Sequence, residues 1–244
     1  LKQVKNRGGR IIVVDPRYTE TAKVAGEHCY IKPNTDVFFF LSFLEEIFSR
    51  DAADAPHLQG KASGMDALRE VTRHWPADRT AEVTGIPADT LRDLVTNFLA
   101  ADGAAVVTGT GLGMGKDGTL AQWLAECINA VSGNLDKRGG TLVGEGIFDF
   151  AGFARKNGMF MRKARSRIGD FRELNGGFPG GILADEILTP GQDQIKGMFV
   201  TGGNPLLTMA NADRMREAFK QLELLVVTDI YLNETASLAH YVMP

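Results

Sequence analysis

Short runs of aliphatic and β-branched residues, each halted by a polar or glycine-rich turn, recur along the 244-residue chain and decide what it can fold into. Arg10 to Val14 stops at Asp15-Pro16, and an extended stretch closing at Ile31 stops at Lys32-Pro33. Ala104 to Val107 runs into a glycine-rich turn from Gly109 to Gly118. Met198 to Thr201 is followed by Gly202-Gly203-Asn204-Pro205, Leu224 to Thr228 by Asp229, and a last strand begins at Tyr241. Proline fixes its own φ and drives its predecessor out of the helical region, so these are strand ends rather than helix interiors. Helical spacing fills the gaps. Asp36 to Ser49, residues 62–75, residues 88–100 and Asp213 to Leu222 read as helices. A further helix carries Leu120, Trp123, Leu124, Cys127, Ile128 and Val131 on one stripe before Ser132-Gly133-Asn134. Strands alternating with helices predict an α/β fold: doubly wound, mostly parallel sheets with helices on both faces, three layers deep, in two related sub-domains. No repeat of fixed period shows. Residues 141–190 lack periodicity and read as a crossover.

Composition removes several classes. With 44% apolar residues the chain can bury a core, and its net charge of −3 gives no electrostatic support for nucleic-acid binding. No apolar run approaches the ~18 residues of a membrane span. Cys29 and Cys127 stand far apart with no CxxC pair, and His28, His57, His74 and His240 have no metal-ligand spacing. Neither a metal ligand nor a catalytic residue is assigned in this chain. The basic residues Arg155, Lys156, Arg162, Lys163, Arg165 and Arg167 read as a solvated face. The chain opens at Leu1 with no initiator methionine or signal-peptide pattern and stops at Pro244 after an apolar pair, so it reads as a piece of a longer polypeptide.

In open parallel sheets ligands bind beyond the carboxyl ends of the strands. Four such ends carry polar or glycine-rich turns, which offer bare backbone N–H groups or a carboxylate able to read a base edge or a ribose hydroxyl. Gly113, Gly115 and Gly118 satisfy GxGxxG, with Asp136 downstream, but the first glycine lies several residues past Val107 and no strand precedes Asp136. That reading is set aside.

Four elements together resemble the molybdopterin-dependent oxidoreductases, the family of formate dehydrogenases, nitrate reductases and dimethyl sulfoxide reductases. Val13-Val14-Asp15-Pro16-Arg17-Tyr18-Thr19-Glu20-Thr21-Ala22 with Lys32-Pro33-Asn34-Thr35-Asp36 resembles the family's V-x-D-P-R-x-T-x-T-A … P-G-T-D element. Gly109-Thr110-Gly111, with Ser132-Gly133-Asn134 and Gly139-Gly140, is similar to G-x-G … L-x-G-N-x-G-x-x-G-G. Thr201 to Pro205 looks like x-G-x-N-P. Val226 to Asp229, Asn233-Glu234-Thr235-Ala236 and Val242-Met243-Pro244 resemble the family's last element. Asn34 stands for a common glycine, His240 for a usual aspartate, and Gly113 and Met114 for more polar residues.

The resemblance implies molybdenum or tungsten held by two molybdopterin guanine dinucleotides per intact enzyme, with none expected on the isolated piece. Residues 1–140 would be most of the family's third domain, 141–190 a crossover, and 191–244 the second half of a discontinuous second domain. Asp15, Pro16, Arg17, Thr19, Asn34, Thr35 and Asp36 would line one guanine dinucleotide. Thr110, Gly111 and Met114 would border the pterin end, and Gly203, Asn204, Thr228 and Asp229 would hold the other guanine nucleotide. A 4Fe-4S cluster and the metal's protein ligand would lie in missing N-terminal sequence. Partners would be the missing N- and C-terminal domains and electron-transfer subunits. Two alternatives stand beside this: a non-catalytic relative such as the large iron–sulfur subunit of NADH dehydrogenase, and an unrelated nucleotide-binding enzyme using the glycine-rich turn.

Overall fold

The computed structural model describes residues 1–142, 144, 146–159, 164–174 and 176–244, so Arg162 and Lys163 of the basic cluster lie outside the described residues. The chain forms two compact units, 1–144 and 145–244. Both contain parallel strands and helices, which is the α/β class expected from the sequence.

In the first unit β1 (Ile12–Val14) pairs in parallel with β2 (Glu27–Cys29), Val13 opposite His28. The 36–49 helix is the centre of the core. Its sequence, DVFFFLSFLEEIFS, is apolar nearly all round, and a helix of that kind must be surrounded. Phe39, Phe40, Phe43, Leu44 and Ile47 are buried against the helices at 77–84, 88–100 and 118–131. The two polar residues buried in that helix are satisfied. Ser42 Oγ donates to the carbonyls of Phe38 and Phe39. The Glu46 carboxylate receives Arg50 Nη2 at 2.6 Å and Arg92 Nε at 3.2 Å, as a buried charge requires.

Two expectations for this unit need correction. Ala104 to Val107 is not a strand. Its backbone is satisfied by side chains instead: Val106 N–H donates to Asn129 Oδ1 (2.8 Å), Asn129 Nδ2 donates to Val106 O (3.0 Å), and Ala104 N–H donates to Asn134 Oδ1 (3.1 Å). Asn129 is fully buried and its carboxamide stands in for a neighbouring strand. The apolar stripe of the 118–131 helix is also rotated from the expected one. Ala121, Leu124, Ala125, Ile128 and Val131 are buried, while Leu120 and Trp123 are exposed, because small alanines let this helix approach the 36–49 helix closely.

In the second unit β3 (Gly197–Thr201), β4 (Leu224–Thr228) and β5 (Tyr241–Met243) form a parallel sheet in that order. Val200, Leu225 and Val227 are buried on one face, in a core with Met215, Ala218 and Phe219 of the 212–221 helix and Ala184 and Ile187 of a helix at 183–188. That last helix lies inside the aperiodic stretch of the sequence. On the opposite face Phe199 and Tyr241 remain exposed.

The two parallel pairs correspond residue for residue. β4 and β5 align as Val226–Tyr241, Val227–Val242 and Thr228–Met243, just as β1 and β2 align as Ile12–Glu27, Val13–His28 and Val14–Cys29. Asp15 and Asp229 follow the inner strands, and Asp-x-x-x-Thr/Asn-Glu-Thr-Ala spans 15–22 and 229–236 at the same offset. This is an internal repeat that sequence reading did not find.

Candidate nucleotide-binding loops at the strand ends

Asp15 leaves β1 at its carboxyl end and is pinned at two points. Its N–H extends the ladder to Cys29 O (3.1 Å), and its Oδ1 accepts the Arg17 N–H at 2.7 Å, closing an Asx turn. Its Oδ2 has no hydrogen-bond partner among the described residues. Pro16 and Arg17 project into solvent, and the Arg17 guanidinium pairs with no carboxylate among the described residues. Thr19 caps the 20–25 helix through an acceptance from Ala22 N–H (3.1 Å).

The 32–36 loop follows β2 and leads into the 36–49 helix. Thr35 Oγ1 donates to Lys32 O (2.6 Å), Asn34 adopts φ +62°, and Asp36 begins the long central helix. Asparagine tolerates that left-handed conformation, as the glycine usual in the family would. Asp36 is half-buried. Burial pushes its pKa up, its own backbone amide pulls it down, and the charge of Asp15 pushes it further up. Asp15 and Asp36 thus lie within electrostatic range of each other. Asn34, Asp36, Leu112, Gly115, Asp117 and Gly118 also enclose a crevice of about 10 Å³, room for a single water. Asp15 is not among its lining residues. A Cβ on Gly115 would come within 2.5 Å of Asn34 Oδ1, so a larger residue there would make the Asn34 side chain shift. A larger cavity of about 380 Å³, lined by Glu45, Phe48, Asp66, Arg69 and Glu70, lies at the other end of the 36–49 helix, away from the strand ends.

Thr110 and Gly111 belong to a one-turn helix, Thr110–Gly113, and Met114 follows it, 80% exposed. A Cβ on Gly109, Gly111 or Gly113 would meet nothing, so this turn presents bare backbone to solvent. None of Thr110, Gly111 and Met114 is tied by a side chain to Asp15 or Asp36.

In the second unit Gly202 N–H donates to Thr228 O (2.9 Å), which sets the Gly202-Gly203-Asn204 turn against Thr228 and Asp229. Asp229 repeats the Asp15 arrangement: its N–H donates to Met243 O (3.0 Å) and its Oδ1 accepts Tyr231 N–H (2.9 Å). Here Oδ2 is also occupied, by Asn233 Nδ2 at 2.9 Å. Asn204 holds the following loop. Its Oδ1 accepts Thr235 Oγ1 (2.7 Å) and Thr235 N–H (3.3 Å), and its Nδ2 donates to Glu234 (2.6 Å), which keeps that carboxyl below its ordinary pKa. A Cβ on Gly203 would meet only Thr201 O, at 4.0 Å.

Sequence reasoning missed one cluster here. Tyr18, His28 and Tyr30 pack edge to face beside Asp15, with centroid separations of 5.3 and 4.3 Å. The alternation of His28 and Tyr30 along β2, on the face away from the core residues Cys29 and Ile31, was the available signal.

Parallel sheets with helices packed on them, each sheet carrying an aspartate just beyond the carboxyl end of a strand, define an α/β protein. The model of the family described as "Molybdopterin oxidoreductase" matches residues 1–244, and the chain belongs to that family. It is 28% identical over 261 residues to the F420-dependent formate dehydrogenase 2 subunit alpha of Methanococcus maripaludis, covering 99% of this chain and 37% of the relative. It is 24% identical to formate dehydrogenase H of Escherichia coli (98% of this chain, 35% of the relative). It is also 24% identical to the assimilatory nitrate reductase catalytic subunit of Bacillus subtilis (100% and 36%). The fold resembles acetylene hydratase from Pelobacter acetylenicus with a TM-score of 0.79 at 22% identity, over all of this chain and 38% of that one. The chain thus spans about a third of the length of the curated relatives it matches. No helix among the described residues is long and apolar enough to cross a membrane.

Proposed function

We propose that the chain is the cofactor-binding part of an oxidoreductase that uses two molybdopterin guanine dinucleotides at molybdenum or tungsten to move two electrons to or from a small substrate. The carrying observation is the repeated strand-end aspartate. Asp15 and Asp229 occupy equivalent positions at the carboxyl ends of equivalent strands, each oriented by an Asx turn and a ladder hydrogen bond.

The residues suit such a group. Guanine offers N–H donors on one edge and ribose offers hydroxyls, and a carboxylate accepts either strongly. At the first end Asp15 Oδ2 and Asp36 provide that acceptance, and the exposed Arg17 guanidinium provides a cation for a phosphate. Pro16 stiffens the approach to Arg17, Thr19 anchors the following helix, and Asn34 and Thr35 hold Asp36 in place. The bare turn bearing Thr110, Gly111 and Met114 accepts close approach of the pterin end. At the second end Asn204 fixes the loop, Gly203 leaves room for a ligand to approach, and Thr228 and Asp229 take the other nucleotide. The bound group supplies the two-electron chemistry, while the protein binds, orients and excludes water.

On this reading residues 1–140 correspond to the family's third domain, with 141–190 crossing to 191–244, part of the second. The exposed Phe199–Tyr241 sheet face is suited to further segments of the longer polypeptide, where the iron–sulfur cluster and metal ligand belong. The isolated chain would then turn over neither formate nor nitrate, and turnover of either would refute that. The decisive experiment measures guanosine monophosphate released by acid from the full-length protein. Two per polypeptide are expected, and about one in each of Asp15→Asn and Asp229→Asn. Unchanged guanine content in both variants would overturn the proposal.

A further inference from the structure

We infer that Tyr18, His28 and Tyr30 form an aromatic shelf that stacks the purine ring of the ligand held by Asp15, a role with no counterpart at Asp229. The inference rests on the reading of Asp15 as a nucleotide-binding carboxylate.

Position comes first. Cys29 O accepts the Asp15 N–H, and Tyr30 is the next residue; Tyr18 lies three residues beyond Asp15 in the same turn. The shelf therefore borders the carboxylate on both chain segments. His28 and Tyr30 alternate with Cys29 and Ile31, which pack on the core, so they stand on the other side of the strand.

Rigidity comes next. Tyr18 and Tyr30 meet the His28 ring at interplanar angles of 83° and 86°. Both His28 ring nitrogens are shielded from solvent without a hydrogen-bond partner. An imidazole carries at least one N–H, and with two rings set edge to face around it that N–H is left to the weak attraction of an aromatic face. A polar ring spent in this way acts as a spacer that sets the tyrosines. The tyrosines themselves remain 46% and 62% exposed, which leaves ring surface for a ligand. An aromatic face beside a bare carboxylate is the pairing that recognises a purine with N–H donors on its edge.

The repeat supplies the contrast. The positions corresponding to Tyr18, His28 and Tyr30 are Leu232, Val242 and Pro244. None of these has a π-face, and the aromatic neighbours of Asp229, the exposed Tyr231 and Tyr241, make no ring–ring contact among the described residues, so the second end lacks a packed shelf.

The test is calorimetric titration of guanosine diphosphate, and separately of ribose 5-phosphate, into the full-length protein produced without its pterin cofactor. Tyr18→Leu and Tyr30→Leu should each weaken guanosine diphosphate binding by roughly five- to a hundredfold, the range of one base stack. Ribose 5-phosphate binding should not change. Tyr18→Phe, which keeps the ring, should bind the nucleotide as the wild type does, and so separates stacking from loss of fold. If the leucine variants bind normally while Asp15→Asn does not, the shelf is wrong and the Asp15 site stands. Equal loss in Tyr18→Phe and Tyr18→Leu also overturns the shelf, and no binding by the wild type overturns both.

Discussion

Asp15 and Asp229 leave equivalent strands in equivalent turns, yet the two ends are finished differently. In the second, Asn233 caps the following turn through Oδ1 to Ala236 N–H and braces Asp229 through Nδ2. In the first, Thr19 makes the corresponding cap to Ala22 N–H, but its single hydroxyl makes no hydrogen bond to Asp15 among the described residues, where Asn233 has a separate amide nitrogen to reach Asp229. One residue type thus decides whether the carboxylate is saturated by protein or left open. The open one also has a second carboxylate, Asp36, beside it. The segments preceding the glycine turns diverge too: β3 is held by β4, whereas residues 104–106 are held by the amides of Asn129 and Asn134. Under one pattern of strand and turn, the second unit builds its loops from backbone and braces, and the first substitutes side chains and keeps acceptors free.

The largest expected effect comes from removing the surrogate strand. Asn129→Ala leaves the N–H and C=O of Val106 without partners, and urea denaturation should show a loss of about 3 kcal/mol, the cost of one or two orphaned buried groups. A change below a few tenths would mean that water replaces the amide freely. Asn204→Ala releases both Thr235 and Glu234. It should cost about 2 kcal/mol in the second unit, with hydrogen exchange rising at residues 233–236 and unchanged at 15–22.

Exchanging the caps sharpens the contrast further. Thr19→Ala should cost about 1 kcal/mol, as for other helix caps. Thr19→Asn should retain the cap, brace Asp15 and weaken guanine nucleotide binding at the first end, whereas Asn233→Thr should free Asp229 Oδ2. Equal nucleotide affinity in Thr19→Asn and wild type would show that the open oxygen is not what the ligand uses.

The smallest effect concerns Asp36. Its folded pKa is raised, chiefly by burial, so the folded chain holds that proton more tightly than the unfolded one. The stability it contributes is present below the ordinary carboxylate range and lost as pH rises through the raised value. Asp36→Asn should therefore be slightly more stable than wild type at pH 7, with the gap closing as pH falls toward 3. A gap that widens on acidification would reverse the assignment.

The strand ends were legible because proline, glycine and aspartate punctuate short β-branched runs, and the two aspartates stand where that punctuation put them. The repeat was not legible, because its two copies share only Asp, Glu, Thr and Ala across eight positions and are separated by most of the chain. The register of β1–β2 and β4–β5 exposes it at once. Ala104 to Val107 misled for a physical reason: β-branched residues favour extended backbone, but a strand needs a partner, and here Asn129 takes that place. The Tyr18–His28–Tyr30 cluster needed two loops to be brought together, which no local pattern reports. Cys29 and Cys127 behave as expected of small apolar residues, half-buried, with burial pushing the Cys127 thiol up to about 11.

Both strand ends of this chain are expected to read guanine. Amide NMR during titration with guanosine diphosphate tests that directly. Shifts should appear at residues 15–19 and 34–36 first and at 203–204 and 228–235 at higher concentration. Shifts confined to residues 109–118, or equal shifts with adenosine diphosphate at all of these positions, would contradict it.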